Sequence, residues 1–327
     1  MKKLVRGSSL FIISFLFVGA LAWAAPAGAG DRPVAPGLNF LFDKDAFAIP
    51  GVQAEPAGPG AVSKFSLKLY GGYNYLLAGD VNDGSDFWFE YVEAYVAESG
   101  IGTFTGGYKP LHGGYNFGGD LIYQITPSLG IGVGAGYLRS SASSLGTFSE
   151  GTDSADATAD VMLSAVPIRL GLFLDVPMGG KLTLTANAGA AYYLGLKLDA
   201  TQGLEFNTGG FIRESFVGTE RSGADIGFHG SLGLEYKFSP KMGFFVEAVG
   251  RYAKLKNFET VTGTTEIAGG GTPETIVGVL YVYSEDIFGA NISGFAVSDT
   301  PPSGGTFREP KFDLSGFSLQ AGIRIRF

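Results

Sequence analysis

Proton chemistry near neutral pH needs a side chain that titrates there, and this 327-residue chain carries two histidines, His112 and His229. A general base or an activated nucleophile also needs a carboxylate or hydroxyl within reach of the imidazole. Asp80 and Asp83 precede His112 in one loop and are its candidate orienters. His229 sits among charged residues at alternate positions, the setting of a polar network rather than of catalysis. No recognisable motif surrounds either histidine, so no catalytic residue is expected. The absence of cysteine excludes a thiolate zinc site, a disulfide frame and a lipidated cysteine. Asp153, Asp156, Asp160 and Asp286 follow no calcium-loop spacing and read as a solvated acidic surface. The run Gly269 to Gly271 lacks the strand-turn-helix setting of a phosphate cradle. Neither a metal nor a cofactor is expected.

The other chemistry-bearing side chains share a phase. Lys68, Asp120, Arg169, His229, Glu235, Glu247, Arg251 and Arg324 each fall on the polar positions of a segment that alternates apolar and polar residues. Successive side chains of a strand point to opposite faces, so such segments are strands with one apolar and one polar face. In the last of them Phe317, Leu319, Ala321, Ile323, Ile325 and Phe327 alternate with Ser318, Gln320, Gly322, Arg324 and Arg326. The same period predicts earlier strands at Lys64 to Leu77, Gly114 to Ile125, Leu129 to Leu138 and Ala165 to Val176. Three more follow at Lys181 to Leu198, Ala224 to Phe238 and Met242 to Lys254, which makes eight with the last. The third sets Gly130, Gly132, Gly134 and Gly136 on its polar phase, a row suited to the crowded inside of a narrow closed sheet.

Tight connections at Pro127, Pro177 and Pro240 alternate with long ones at Ala78 to His112, Ser140 to Met162, Asp199 to Gly223 and Leu255 to Asp313. In the first long loop Phe87, Tyr91 and Tyr95, with Trp88 and Val92, recur at helical spacing and predict a short amphipathic helix, a strand being the alternative. The last loop holds two apolar runs, Ile276 to Tyr283 and Ile292 to Val297. As a spanning hairpin they would raise the strand count to ten; the second run is short for spanning, so an extracellular hairpin is expected.

Charged residues make up only 17% of the chain, aromatics reach 13%, and there are 52 glycines. A soluble domain usually carries about 25% charge, so the chain is short of solvating groups. Lys2, Lys3 and Arg6, the apolar run Leu10 to Leu21 and the triplet Ala22, Trp23, Ala24 form a secretory signal peptide, residues 1–24. Its removal takes three cations from a net charge of -8 and leaves -11. An acidic surface argues against nucleic acid as a partner. Residues 25–63 are rich in Pro and Gly and read as a periplasmic lead-in.

The alternating strands, the loop asymmetry and the closing Phe327 resemble the small OmpA/OmpX/OmpW-like outer-membrane barrels of bacteria, over Lys64 to Phe327. The resemblance implies an all-β fold, a transmembrane antiparallel up-and-down β-barrel with short periplasmic turns and long extracellular loops. It implies an apolar face against lipid and lipopolysaccharide, aromatic girdles at the strand ends, and a C-terminal strand read by the barrel-assembly machinery through Phe327. In so narrow a lumen buried charges must pair, and Glu235 and Glu247 are expected beside Arg324 and Arg251. The expected role is structural or surface-interacting, with a plugged polar lumen and an unknown extracellular partner. A narrow porin-like channel for small or apolar solutes is the alternative, ahead of a lipid A-modifying or proteolytic barrel.

Overall fold

A computed structural model describes residues 64–220, 225–255, 258, 260–269, 272–300, 302 and 306–327. The expected signal peptide and lead-in lie outside the described residues. The elements begin with β1 (Phe65–Gly79), α1 (Asp80–Ser85), α2 (Phe87–Ser99), β2 (Thr103–Gly107) and β3 (Gly113–Gln124). Next come β4 (Leu129–Glu150), β5 (Asp153–Gly179), β6 (Leu182–Phe206), β7 (Phe211–Glu220), β8 (Ile226–Lys237) and β9 (Met242–Tyr252). The chain ends with β10 (Lys254–Leu255), β11 (Thr260–Ile267), β12 (Glu274–Ile287), β13 (Ala290–Ser298), β14 (Thr306–Arg308) and β15 (Phe312–Arg326).

Eight strands pair antiparallel in the ring β1-β3-β4-β5-β6-β8-β9-β15 and back to β1. The seam sets Leu67 opposite Ile325 and Tyr73 opposite Leu319. At its end the Phe65 amide donates to the Phe327 carbonyl at 3.3 Å and the Phe327 amide to the Phe65 carbonyl at 3.0 Å. No ring strand is left with an open edge, the condition for strands to sit in hydrocarbon.

The apolar phase of every ring strand faces outward. Leu69, Phe117, Leu121, Val133, Leu170, Leu172, Leu232, Leu234, Val246 and Leu319 are all exposed. Register groups the outward aromatics at two levels. Phe65 lies opposite Tyr123 and Tyr236 opposite Phe244 at one end; Tyr73 lies opposite Tyr115 and Phe228 opposite Tyr252 at the other. From Phe65 to Tyr73 or Tyr75 a strand advances about 27 to 34 Å, and a tilt of roughly 40° turns that into an apolar belt about 20 to 26 Å tall. This matches the band of an outer-membrane-type barrel.

The long connections differ from the predicted loops. Ser140 to Met162 is not a loop: β4 and β5 run past the belt as one hairpin, paired from Ser140 opposite Leu163 to Glu150 opposite Asp153. β6 rises beside them, and above Tyr192 it exchanges β8 for β7. The extension continues through β7, β11, β12 and β13. Asp199 to Gly223 and Leu255 to Asp313 are therefore largely strand. The runs at Ile276 and Ile292 lie in β12 and β13, which pair as a hairpin outside the ring. The ring thus has eight strands, not ten. In the first loop the aromatic spacing does form a helix, α2, preceded by α1. The chain reaches α1 through Ala78 and Gly79, both left-handed with φ of 62° and 63°.

Within the ring the glycine row of β4 makes room. A Cβ at Gly134 would collide with Oδ1 of Asp120, one at Gly132 would approach the Phe173 ring to 2.7 Å, and one at Gly136 the Tyr70 hydroxyl to 2.9 Å. Gly71 differs: its Cβ would meet nothing closer than 3.7 Å. Gly134→Ala is expected to destabilise the refolded barrel by about 1–3 kcal/mol through overpacking, with Gly71→Ala near neutral, as read from urea midpoints in lipid vesicles.

Candidate functional site

The polar phase of the ring converges inside the barrel in two tiers. At the end where Phe65 meets Phe327, Arg324 on β15 reaches Asp175 on β5 at 2.8 Å and Glu235 on β8 at 3.4 Å. Arg326 adds a bond to Glu235 at 2.6 Å, and Arg324 Nε donates to Ser66 Oγ at 3.0 Å. Arg324 is 2% exposed and Glu235 is fully buried, so neither charge is solvated and each depends on the other.

In the next tier Lys68 on β1 binds Glu247 on β9 at 2.8 Å and lies over the Phe245 ring at 4.3 Å. Glu247 also accepts from Ser231 Oγ at 3.2 Å and from Gln320 Nε2. Gln320 is oriented in turn by Asn116, whose amide donates to its Oε1 at 2.9 Å. Beside them Arg169 on β5 pairs with Asp120 on β3 at 2.7 Å and donates to the Tyr70 hydroxyl.

Two expected residues behave otherwise. Arg251 does not pair with a glutamate. Its Nε donates to the Leu314 carbonyl at 2.8 Å, and its terminal nitrogens reach Ser318 Oγ at 3.2 Å and Asn74 Oδ1 at 3.5 Å. Register explains this: Arg251 lies opposite His229 and Gly316, whereas Glu247 lies opposite Gln320, two inward positions lower. His229 lines the same interior, and its Nδ1 has no partner. Tyr70, Asn116, Ser231 and Gln320 escaped the sequence reading as network members. All stand on the polar phase of their strands, which is the signal that marks them.

Above these tiers the lumen is apolar. Leu76, Leu138, Leu163, Ala165, Ala191, Tyr193, Leu314 and Phe312 form one buried cluster that continues through Leu111, Leu255, Phe258 and Phe295. A second cluster seats Phe89 and Val92 of α2 on Ala155, Ala157 and Ala159, the alanine phase of the β5 extension. The outer edge of β13 is met by the helices, and the Ser293 amide donates to Glu90 at 3.3 Å.

His112 stands at this upper rim. Its Nδ1 donates to the Leu76 carbonyl at 2.8 Å and its ring stacks on Tyr75 at 4.8 Å. Asp80 and Asp83 turn instead to Arg308, which they meet together. Among the described residues, therefore, no carboxylate bonds to His112. Among the described residues no group of three or more His, Cys, Asp or Glu side chains could hold a metal ion.

Asp86, between α1 and α2, carries the main electrostatic conflict of the cap that these two helices form over the β5 extension. Burial, with Glu90, Asp83 and Glu93 nearby, pushes its carboxyl up from 3.8 to about 8, against the opposing hydrogen bond of its own amide. Burial also raises the Glu90 carboxyl. An acid whose folded pKa is raised gives stability that is whole below its ordinary value and lost as pH climbs toward the folded one. The cap is thus held more firmly at pH 5 than at pH 9.

Two measurements check these arrangements. Arg324→Ala leaves buried Asp175 without its cation and Glu235 with Arg326 alone, and is expected to cost about 3–5 kcal/mol in urea unfolding, whereas breaking the exposed Arg308 pair should cost at most about 1 kcal/mol. In a chain starting at Ala25, Trp88 on α2 is the sole tryptophan. Its fluorescence is expected to report cap release at lower urea at pH 9 than at pH 5, and Asp86→Asn to flatten that difference.

No protein family and no curated protein matches the sequence. Solved outer-membrane structures are similar at low identity. OprG from Pseudomonas aeruginosa is 10% identical, covering 81% of this chain and 97% of its own, with a TM-score of 0.35. Acinetobacter baumannii CarO is 15% identical over 64% of this chain and 92% of its own, at 0.28. The outer membrane protease OmpT of Escherichia coli is 10% identical over 80% and 96%, at 0.25. At such scores the likeness adds no argument of its own; the closed ring of eight antiparallel strands, belted in apolar side chains, is what makes this chain an outer-membrane-type β-barrel.

Proposed function

We propose that the chain is an integral outer-membrane β-barrel that stays closed and presents a folded lobe outside the cell. The observation that carries this reading is the double seal of the lumen. Paired charges fill its lower part, and an apolar cluster continuous with the lobe fills its mouth. Water and ions crossing such a barrel would have to break both. The outward belt supports a lipid setting, with lipopolysaccharide around the upper rim. The strand ending at Phe327 is the segment the assembly machinery would read.

The lobe supports the surface-interaction half of the reading. Strands β4 to β6 continue far past the belt, and α1, α2 and β11 to β13 are packed onto them rather than left as loose loops. Its upward surface is rich in acidic side chains such as Asp156, Asp160, Glu205 and Glu266. We assign the protein no catalysis, a choice supported by the His112 contacts given above.

Two experiments test this. Refolded protein in planar bilayers is expected to show no stable single-channel steps; regular steps would replace the closed barrel by the channel reading. Because the chain has no cysteine, one can be placed at will. Thr152→Cys at the tip of the β4-β5 hairpin should react with an impermeant maleimide on intact cells, and Lys181→Cys at the opposite turn should not. The reverse pattern would invert the orientation.

A further inference from the structure

Between the paired charges and the apolar plug lies a cavity of about 30 Å³. Its walls include Arg251, Arg169, His229, Tyr70, Asn116 and Gln320. The charge around it does not balance. Asp120 is matched by Arg169, Glu247 by Lys68, Asp175 by Arg324, and Glu235 by Arg326 and Arg324. Among the described residues Arg251 has no carboxylate partner; its acceptors are a carbonyl, a hydroxyl and an amide oxygen. The ionisable groups that bear on it are the guanidinium of Arg169, the imidazole of His229 opposite it, and the phenols of Tyr193 and Tyr70. A cation inside a barrel, facing a second cation, calls for a counter-charge.

Donors without protein acceptors line the same space. A guanidinium offers five N–H groups, and Arg251 uses three contacts. Arg169 Nε and His229 Nδ1 are buried without a partner, as is one acceptor, Asn116 Oδ1. A water needs roughly 10–15 Å³ of such space, so the cavity suits one monatomic anion or about two waters.

We propose that this cavity is a binding site for a single small monovalent anion of the halide class, held by Arg251, Arg169 and the ring N–H of His229. The anion supplies the charge that the lumen lacks, and it meets N–H donors that no carbonyl or carboxylate reaches. The site is independent of whether the barrel conducts, because it needs only the buried donors and the space between them.

The test uses the processed chain refolded in detergent. Crystals soaked in sodium bromide are expected to show an anomalous peak beside the Arg251 guanidinium and the Arg169 Nε. Melting temperature should rise with chloride or bromide and saturate, relative to sodium gluconate at equal ionic strength, and Arg251→Met should abolish that salt-specific rise. Water-like density without anomalous signal, together with equal melting in chloride and gluconate, would overturn the site. Should Arg251→Met not fold, the anomalous map of the unaltered protein decides alone.

Discussion

The structure depends on one constraint: a backbone amide or carbonyl facing hydrocarbon has no water to turn to, so each strand must be paired on both sides. The bonds between Phe65 and Phe327 complete that condition by joining the first ring strand to the last. Everything inside follows from closing so small a ring. Eight strands leave an interior only wide enough for side chains, so the polar phase cannot be solvated and must satisfy itself. Glycines on β4 yield space to Asp120, Phe173 and Tyr70, and the longer side chains of the other strands meet across the lumen.

The lumen and the lobe obey different rules. In the lower tiers buried charges hold one another, an arrangement that costs much if one partner is removed and that ties strands distant in sequence, such as β5 and β15, into one register. Higher up the inward phase changes to Leu138, Leu163, Ala165 and Leu314, and the same cluster runs on into the lobe. The seal of the barrel and the core of the lobe are therefore one apolar body. The lobe also covers a liability of its own: β13 would end the extended sheet with unpaired backbone, and α1 and α2 lie against it.

Much of this was legible in the residues. The period of two located all eight ring strands and told inward from outward, because that period is a local property of an extended chain. The inward charges were found the same way, as was the helical spacing of Phe87, Tyr91 and Tyr95. The extension was missed for a physical reason. On β5 the inward phase above the belt is Ala155, Ala157 and Ala159, too small to stand out against Asp156, Thr158 and Asp160, so the segment looks like a polar loop until α2 is seated on it.

The sequence alone determined that this chain forms amphipathic strands, which face of each is apolar, and which ionisable groups point inward, since each of these is set by neighbours one or two residues away. Only the tertiary structure decided who pairs with whom. Arg324 holds Asp175 and Glu235, Lys68 rather than Arg251 holds Glu247, and β12 with β13 stays outside the ring. The reason is register. A shift between adjacent strands moves an inward side chain to another level of the lumen, and that shift is fixed by pairings across the whole closed sheet, not by any one segment.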